Sequence, residues 1–321
     1  MLRRIAIVVA LFLLVVIGVG LVFRGAAAWR EQQVNVARGS TLVPTPVGRV
    51  AVRLQGGGAR GTIMLVHGTA AWGGFWRDVA NRLASKGWRV VAVDLPPFGY
   101  SDRDPSARYN RTTQARRLAA VARQLNQGPV VVLGHSFGAG AATEFALRYP
   151  RQVQKLVLVD AALGSLDPAP GRSALERTLS LRPVAELVTA STITNPLATE
   201  GLLSSFMARK AAAGPWVDTI QQPMHRIGTT SGYAAWLPAL FATDDGSWSR
   251  RSARLASIRM PVAIIWGDAD TVTPLWQGRQ LARLTRARPF TVLKDVGHIP
   301  HVEAPAAFGA ALEQVLAKGE E

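Results

Sequence analysis

The sequence predicts an α/β fold: a mostly parallel central sheet with helices on both faces, a helical insertion, and an apolar N-terminal helix. Three observations carry this. Short β-branched apolar runs alternate with longer stretches of helical character from about residue 47 onward. Roughly a hundred residues separate two of those runs. An uncharged apolar run opens the chain at residues 5–23.

The opening segment comes first. Met1-Leu2-Arg3-Arg4 precedes the run IAIVVALFLLVVIGVGLVF. In a helix rising about 1.5 Å per residue it spans roughly 28 Å, close to a bilayer core. A secretory signal peptide carries an apolar region of only about 7–15 residues, so residues 1–24 are expected to remain as a transmembrane anchor. Ala26-Ala27-Ala28 supplies a small-residue cleavage site, which keeps a secreted, cleaved chain as the alternative. Arg3 and Arg4 flank one end, and Arg24, Arg30 and Arg38 the other, so charge does not decide orientation. The expectation is an inside N-terminus with the remaining chain on the extracytoplasmic side.

Residues 25–46 read as a linker, polar, with Gly39-Ser40 and Pro44 and Pro46, and without sustained periodicity. The apolar runs follow at residues 62–66, 90–93, 130–133, 156–159, 262–266 and 290–293, with an earlier strand pair placed within 47–54. Their near-continuous hydrophobicity fits strands buried on both faces. Candidate helices lie between them at 75–86, 112–126, 137–149, 275–284 and 304–317. Such alternation implies parallel crossovers and a covered sheet. The core is therefore expected over residues 47–163 and 259–321. Residues 164–258 hold seven prolines among helix-like stretches. A structureless loop of that length is improbable, so this interval is expected to form a helical cap over the strand ends.

Composition excludes several classes. With no cysteine, disulfide frameworks, thiolate metal sites and a cysteine nucleophile are all removed. The formal net charge is +16, read first as an arginine-biased composition spread over solvated faces, with attraction to an anionic membrane surface as a smaller contribution. No run of five basic residues and no basic stretch interleaved with aromatics occurs, so nucleic acid is not an expected partner. No H-E-x-x-H is present, and neither a metal nor an organic cofactor is implied.

The chemistry centres on Gly134-His135-Ser136-Phe137-Gly138, a G-x-S-x-G that follows the run VVVL directly and opens a helix. A serine on a sharp strand-to-helix turn needs small neighbours, because the backbone is crowded there. The turn thrusts the hydroxyl outward and aims helix N-terminal N–H groups at the reacting centre. A hydroxyl is a poor nucleophile until a base takes its proton. The chain has five histidines. His298, after the last strand and following Gly297, is the expected base, and His301 is expected to help hold its loop. The acid has three chemical candidates: Asp268 and Asp270 after the run VAIIW, and Asp160 at the end of the preceding strand.

These blocks resemble the α/β-hydrolase superfamily, in particular its capped esterase-like members. The matching segments are Leu65-Val66-His67-Gly68-Thr69, Asp94-Leu95-Pro96-Pro97-Phe98-Gly99-Tyr100-Ser101, the serine turn, Gly267-Asp268-Ala269-Asp270 and Gly297-His298. The resemblance implies a Ser136, Asp270, His298 triad. It also implies an oxyanion hole from the N–H groups of Thr69 and Phe137, a loop-shaping role for His67, and a structural loop at residues 94–101. Departures narrow the activity. Dehalogenases and epoxide hydrolases of this type carry aspartate where this chain has Ser136. The C–C bond hydrolases of aromatic breakdown commonly place tryptophan after the histidine, where this chain has Ile299-Pro300.

The expected activity is therefore hydrolysis of a carboxylic ester, a small molecule with an apolar acyl or alcohol part, through an acyl-enzyme. Phe206, Met207, Trp216, Met224, Trp236 and Phe241 in the insertion either line its pocket or pack cap on core. Two alternatives use the same framework: a non-catalytic hydrolase-fold binding protein, and a cofactor-free perhydrolase or haloperoxidase.

Overall fold

Eight strands form one sheet among the residues described by the structure, a computed structural model covering 2–32, 39–125, 128–242 and 246–317, with the side chains of 2–13 and 16 outside that description. The strands are β1 (Ser40–Val43), β2 (Val50–Gln55), β3 (Thr62–Val66), β4 (Arg89–Val93), β5 (Val130–His135), β6 (Val153–Val159), β7 (Val262–Gly267) and β8 (Phe290–Leu293). Their order is β1-β2-β4-β3-β5-β6-β7-β8. The first two pairings, β1 with β2 and β2 with β4, are antiparallel; all the others are parallel.

The helices are α1 (Leu2–Arg30), α2 (Arg77–Ser85), α3 (Arg111–Gln124), α4 (Phe137–Arg148), α5 (Ala174–Leu179), α6 (Arg182–Ser191), α7 (Pro196–Ser205), α8 (Val217–Gln221), α9 (Thr229–Leu240), α10 (Ser252–Ala256), α11 (Leu275–Thr285), α12 (Pro300–Glu303) and α13 (Pro305–Ala317). The expected helix at 112–126 ends at Gln124, and its last expected residue, Asn126, lies outside the described residues.

Strand periodicity explains the two-sided core. Successive side chains point to opposite faces. Ile63, Leu65, Val131, Leu133, Val157, Val159, Ala263 and Ile265 pack against Val79 and Leu83 of α2 and Phe308, Leu312 and Val315 of α13. Met64, Val66, Val132, Leu156, Leu158, Ile264 and Trp266 face the other way, against Leu118 of α3, Phe145 of α4 and Leu281 of α11. Each full burial of such a side chain contributes about 1.5–3 kcal/mol. Both faces of the central strands are therefore apolar, and chemistry is left to the strand ends.

Two departures from the sequence expectations concern the N-terminal region. β1 lies within the segment read as linker: Leu42 pairs with Ala51 and Val43 with Val50. A four-residue edge strand offers too few positions for a periodicity signal. The second departure concerns the membrane span expected within 1–24. Among the described residues no helix is long and apolar enough to cross a membrane, and much of the expected span falls on side chains outside the description. The C-terminal turns of α1 dock on the protein instead. Arg24 Nε donates to Glu186 of α6 at 3.0 Å, Arg30 donates to the Thr194 carbonyl at 2.9 Å, and Glu31 accepts the Thr230 N–H of α9 at 2.8 Å.

Helices α5 to α10 occupy the interval between β6 and β7. Their aromatic side chains reach the ends of the parallel strands: Trp236 of α9 sits edge-on to Phe98 at 4.8 Å and to Phe137 at 5.3 Å, and Trp216 to Phe75 at 5.1 Å.

The turn from β5 into α4 has no slack. A β-carbon on Gly138 would stand 2.2 Å from the His67 carbonyl oxygen. Gly138→Ala is expected to destabilise the protein by about 1–3 kcal/mol through overpacking against backbone. Chemical denaturation should show a lower midpoint at unchanged slope; a wild-type midpoint would mean the turn can give way.

Candidate active site

Strands β5, β6 and β7 are parallel neighbours in the sheet, so their C-terminal ends bring residues far apart in the chain to one place. Ser136 follows β5, Asp160 follows β6, and Asp270 lies three residues after β7. His298 comes from the loop after β8. All four are buried.

Ser136 has φ 51° and ψ −124°, a conformation that costs a non-glycine residue on the order of 1–3 kcal/mol. Its backbone is clamped on both sides: its N–H donates to Val159 O at 3.1 Å and its carbonyl accepts from Ala162 N at 3.1 Å. The hydroxyl is thereby held at one point, 2.8 Å from His298 Nε2. His298 Nδ1 lies 2.8 Å from Asp270 Oδ2. The hydroxyl, imidazole and carboxylate form a continuous hydrogen-bonded line, and His298 has both ring nitrogens committed to it.

Asp270 takes further bonds from Thr273 Oγ1 at 2.5 Å, Thr273 N at 2.9 Å and Val272 N at 2.8 Å. Burial by itself would raise its carboxyl; the His298 hydrogen bond and charge and the Thr273 bonds outweigh that and hold it below the ordinary value. It is thus a carboxylate that orients the ring and balances an imidazolium. Asp268, the nearby candidate, instead accepts the Asp295 N–H at 2.7 Å. Among the described residues, Asp160 accepts from Gly267 N, at 2.9 Å through Oδ1. Burial, followed by the Asp270 charge, pushes it well above the ordinary carboxylate range.

The other three histidines near the site are held neutral and do other work. His67 donates from Nδ1 to Gly68 O at 2.7 Å and accepts the Leu95 N–H on Nε2 at 2.9 Å; burial lowers it to about 4. It ties the turn after β3 to the loop after β4. Asp94 closes that loop by accepting from Gly73 N at 2.6 Å and Tyr100 N at 2.7 Å. His135 Nε2 donates to the His298 carbonyl at 2.7 Å, and burial followed by the His298 charge lowers it to about 3. His301 stacks on Trp76 at 4.2 Å and, among the described residues, has no hydrogen-bond partner on either nitrogen. It packs by its ring and does not pin the His298 loop by hydrogen bonds.

Glu303 does that, and the sequence reading did not single it out. Its buried carboxylate accepts from Gly297 N at 3.1 Å and Ile299 N at 3.2 Å, the two neighbours of His298. It also accepts from Ala208 N at 2.8 Å and Arg209 N at 3.1 Å, in the insertion. The His298 N–H itself donates to Phe206 O at 2.8 Å. Gly297 is needed here for space, since its β-carbon would stand 2.6 Å from Ala208 N. The only sequence signal was an acid five residues after His298, and burial of an acid cannot be read from spacing.

The turn carrying Thr69 lies against Ser136: a β-carbon on Gly68 would be 2.9 Å from Ser136 Cβ. Phe137 follows Ser136 as the first residue of α4. Phe206 approaches the His298 ring at 6.3 Å between centroids. Met207, Trp216, Met224 and Trp236 are buried, whereas Phe241 is exposed. Among the described residues, Asp160, Asp270 and His298 bring potential metal-ligating atoms within 4.8 Å of one another. With His298 engaged at both nitrogens, that cluster is better described as the hydrogen-bonded line with a second carboxyl behind it.

Glu303→Gln would replace one acceptor oxygen by an amide that faces backbone N–H groups. Labelling of Ser136 by a fluorophosphonate is expected to slow about tenfold or more, because misplacement of a reacting group by about 1 Å can cost 10²-fold. Wild-type labelling kinetics in a folded variant would remove Glu303 from the positioning of His298.

A family model described as the alpha/beta hydrolase fold matches residues 61–305. The chain is 28% identical over 278 residues to 2-hydroxymuconate semialdehyde hydrolase of Pseudomonas sp. (strain CF600), covering 84% of this chain and 92% of that protein. Among solved structures it is similar to a thermophilic esterase from Thermogutta terrifontis, with TM-score 0.69 and 22% identity over 86% of this chain and 97% of that one. It is also similar to a bacterial membrane phospholipase A, with TM-score 0.67 and 24% identity over 98% of this chain and 99% of that one. With that match over residues 61–305, most of its length, the chain belongs to the alpha/beta hydrolase family.

Proposed function

We propose that this protein is a serine hydrolase that cleaves a carboxylic ester with an apolar acyl or alcohol part through a covalent acyl-enzyme. The observation that carries this reading is the pair of 2.8 Å contacts joining Ser136, His298 and Asp270. In the first step His298 Nε2 takes the hydroxyl proton while Ser136 Oγ attacks the ester carbonyl carbon. The Thr69 and Phe137 N–H groups receive the oxyanion; one such donor is typically worth about 3 kcal/mol. The imidazolium then protonates the leaving alcohol, and Asp270 stabilises the ring while it is charged. In the second step water, deprotonated by the same nitrogen, attacks the acyl carbon and Ser136 leaves as the alcohol. The apolar preference is supported by Phe206 beside His298 and by Trp236 against Phe137.

Ser136→Ala should abolish fluorophosphonate labelling and lower kcat about 10⁶-fold, while the wild type turns over a graded panel of p-nitrophenyl esters. Labelling or ester turnover that persists in the variant would overturn the serine assignment. Turnover of 2-hydroxymuconate semialdehyde with no activity on any ester would overturn the substrate class and transfer the activity of the Pseudomonas relative.

The reading includes a membrane. Leu14, Val15, Ile17, Val19, Leu21 and Val22 of α1 are all exposed, continuing the apolar sequence of residues 5–13, and the net charge of +16 favours an anionic lipid surface. The full chain is expected to float with vesicles of anionic phospholipid. A chain lacking residues 1–23 should remain at the bottom of the gradient and still label at Ser136. Equal flotation of both forms would rule out α1 as the attachment.

A further inference from the structure

Asp160 has no task in the mechanism above, yet it is fully buried beside the one carboxylate that does. Its backbone adopts φ 41°, in the left-handed region that aspartate and asparagine tolerate better than most residues. That conformation, at the end of β6, turns the side chain toward the β7 end, where Gly267 N donates to Oδ1 at 2.9 Å. The other oxygen, Oδ2, is buried with no donor among the described residues. A carboxylate oxygen in that position would be a desolvated charge with nothing to compensate it.

The neighbouring carboxyl is treated differently. Asp270 receives four donors, from Val272 N, Thr273 N, Thr273 Oγ1 and His298 Nδ1. Carboxyl oxygens of the two residues lie within 4.8 Å of each other and of the His298 ring. Two buried carboxylates at this separation cannot both ionise without large cost. The donors select Asp270 for the charge, which leaves the proton with Asp160.

We propose that Asp160 is a positioning residue for the Asp270–His298 pair, kept as a neutral carboxylic acid whose Oδ2 proton is hydrogen-bonded to the Asp270 carboxylate. The proposal rests on the reading of Asp270 as the partner of His298. No proton is transferred: the acid donates a hydrogen bond in every state of the cycle and keeps the line behind Ser136 at a single negative charge. The ionisable groups facing it are Asp270 from the loop after β7, and His298 and Glu303 from the segment after β8. Burial and the Asp270 and Glu303 charges all favour its neutral form.

Two substitutions and one spectrum test this. Asp160→Asn replaces the neutral acid by an amide that can still donate, and is expected to keep kcat/KM within about threefold with the acid limb of its pH profile unmoved. Asp160→Gly suits the φ of 41° but removes the donor, and is expected to lower kcat about 10–100-fold with KM little changed. If Asp160 were ionised, Asp160→Asn would delete a negative charge near His298 and move the acid limb of the pH profile to lower pH by about a unit or more; that shift overturns the proposal. Wild-type kinetics in Asp160→Gly would overturn the positioning role while leaving the Ser136 reading intact. The wild type also decides the protonation state without any variant. Infrared spectra of protein carrying ¹³C-labelled aspartate, taken at about pH 8 and so above the ordinary carboxylate range, should contain an isotope-shifted protonated-carboxyl band. Asp94, which burial raises to about 6, is ionised there. Absence of that band would overturn the proposal.

Discussion

The 2.8 Å contact between Ser136 Oγ and His298 Nε2 is the constraint around which the rest of the site is organised. Neither residue could hold it alone. Ser136 is fixed by a backbone pinned to β6 and to the residues that follow it, in a conformation that its neighbours must enforce. His298 lies on a loop without regular structure, and loops move unless something holds them. Here the holding is done by backbone bonds, one buried carboxylate and the partner acid of the ring.

Because Glu303 and Phe206 O bond both the histidine loop and residues 206–209, the insertion is part of the framework that holds His298. The imidazole position and the position of this edge of the insertion are one variable. Motion that admits a substrate is therefore most easily placed away from residues 206–209. The opposite requirement holds at α6 and α9, where the C-terminal turns of α1 are tied down by Arg24, Arg30 and Glu31.

Electrostatically the site concentrates one usable charge in an apolar setting. His67, His135 and His301 are all kept neutral by burial, so none competes with His298 for a proton. Of the two carboxyls behind His298, Asp270 is the one given enough donors to remain ionised. In a low-dielectric interior each extra charge would shift the imidazole strongly. The surrounding sequence supplies hydrogen-bonding groups whose protonation states stay put while His298 cycles.

How much of this was legible in the sequence follows from the range of each signal. Strand runs such as 62–66 and 262–266 declared themselves, because burial on both faces of a parallel sheet demands continuous apolar residues. The G-x-S-x-G turn was legible because crowding there demands glycine on both sides of the serine, a purely local requirement. Ser136 and His298 could be named from that turn and from a histidine after the last strand. β1 was not legible, since a short edge strand carries little pattern. Among Asp160, Asp268 and Asp270, residue chemistry left the choice open and the family resemblance pointed to Asp270; the tertiary structure places its oxygen 2.8 Å from His298 Nδ1. Glu303 was invisible for the same reason: its four hydrogen bonds join segments nearly a hundred residues apart. Local sterics and periodicity are written along the chain, so the sequence determined the fold class and the place of the serine turn. Which buried acid keeps its charge depends on donors gathered from distant segments, and that only the folded protein decides.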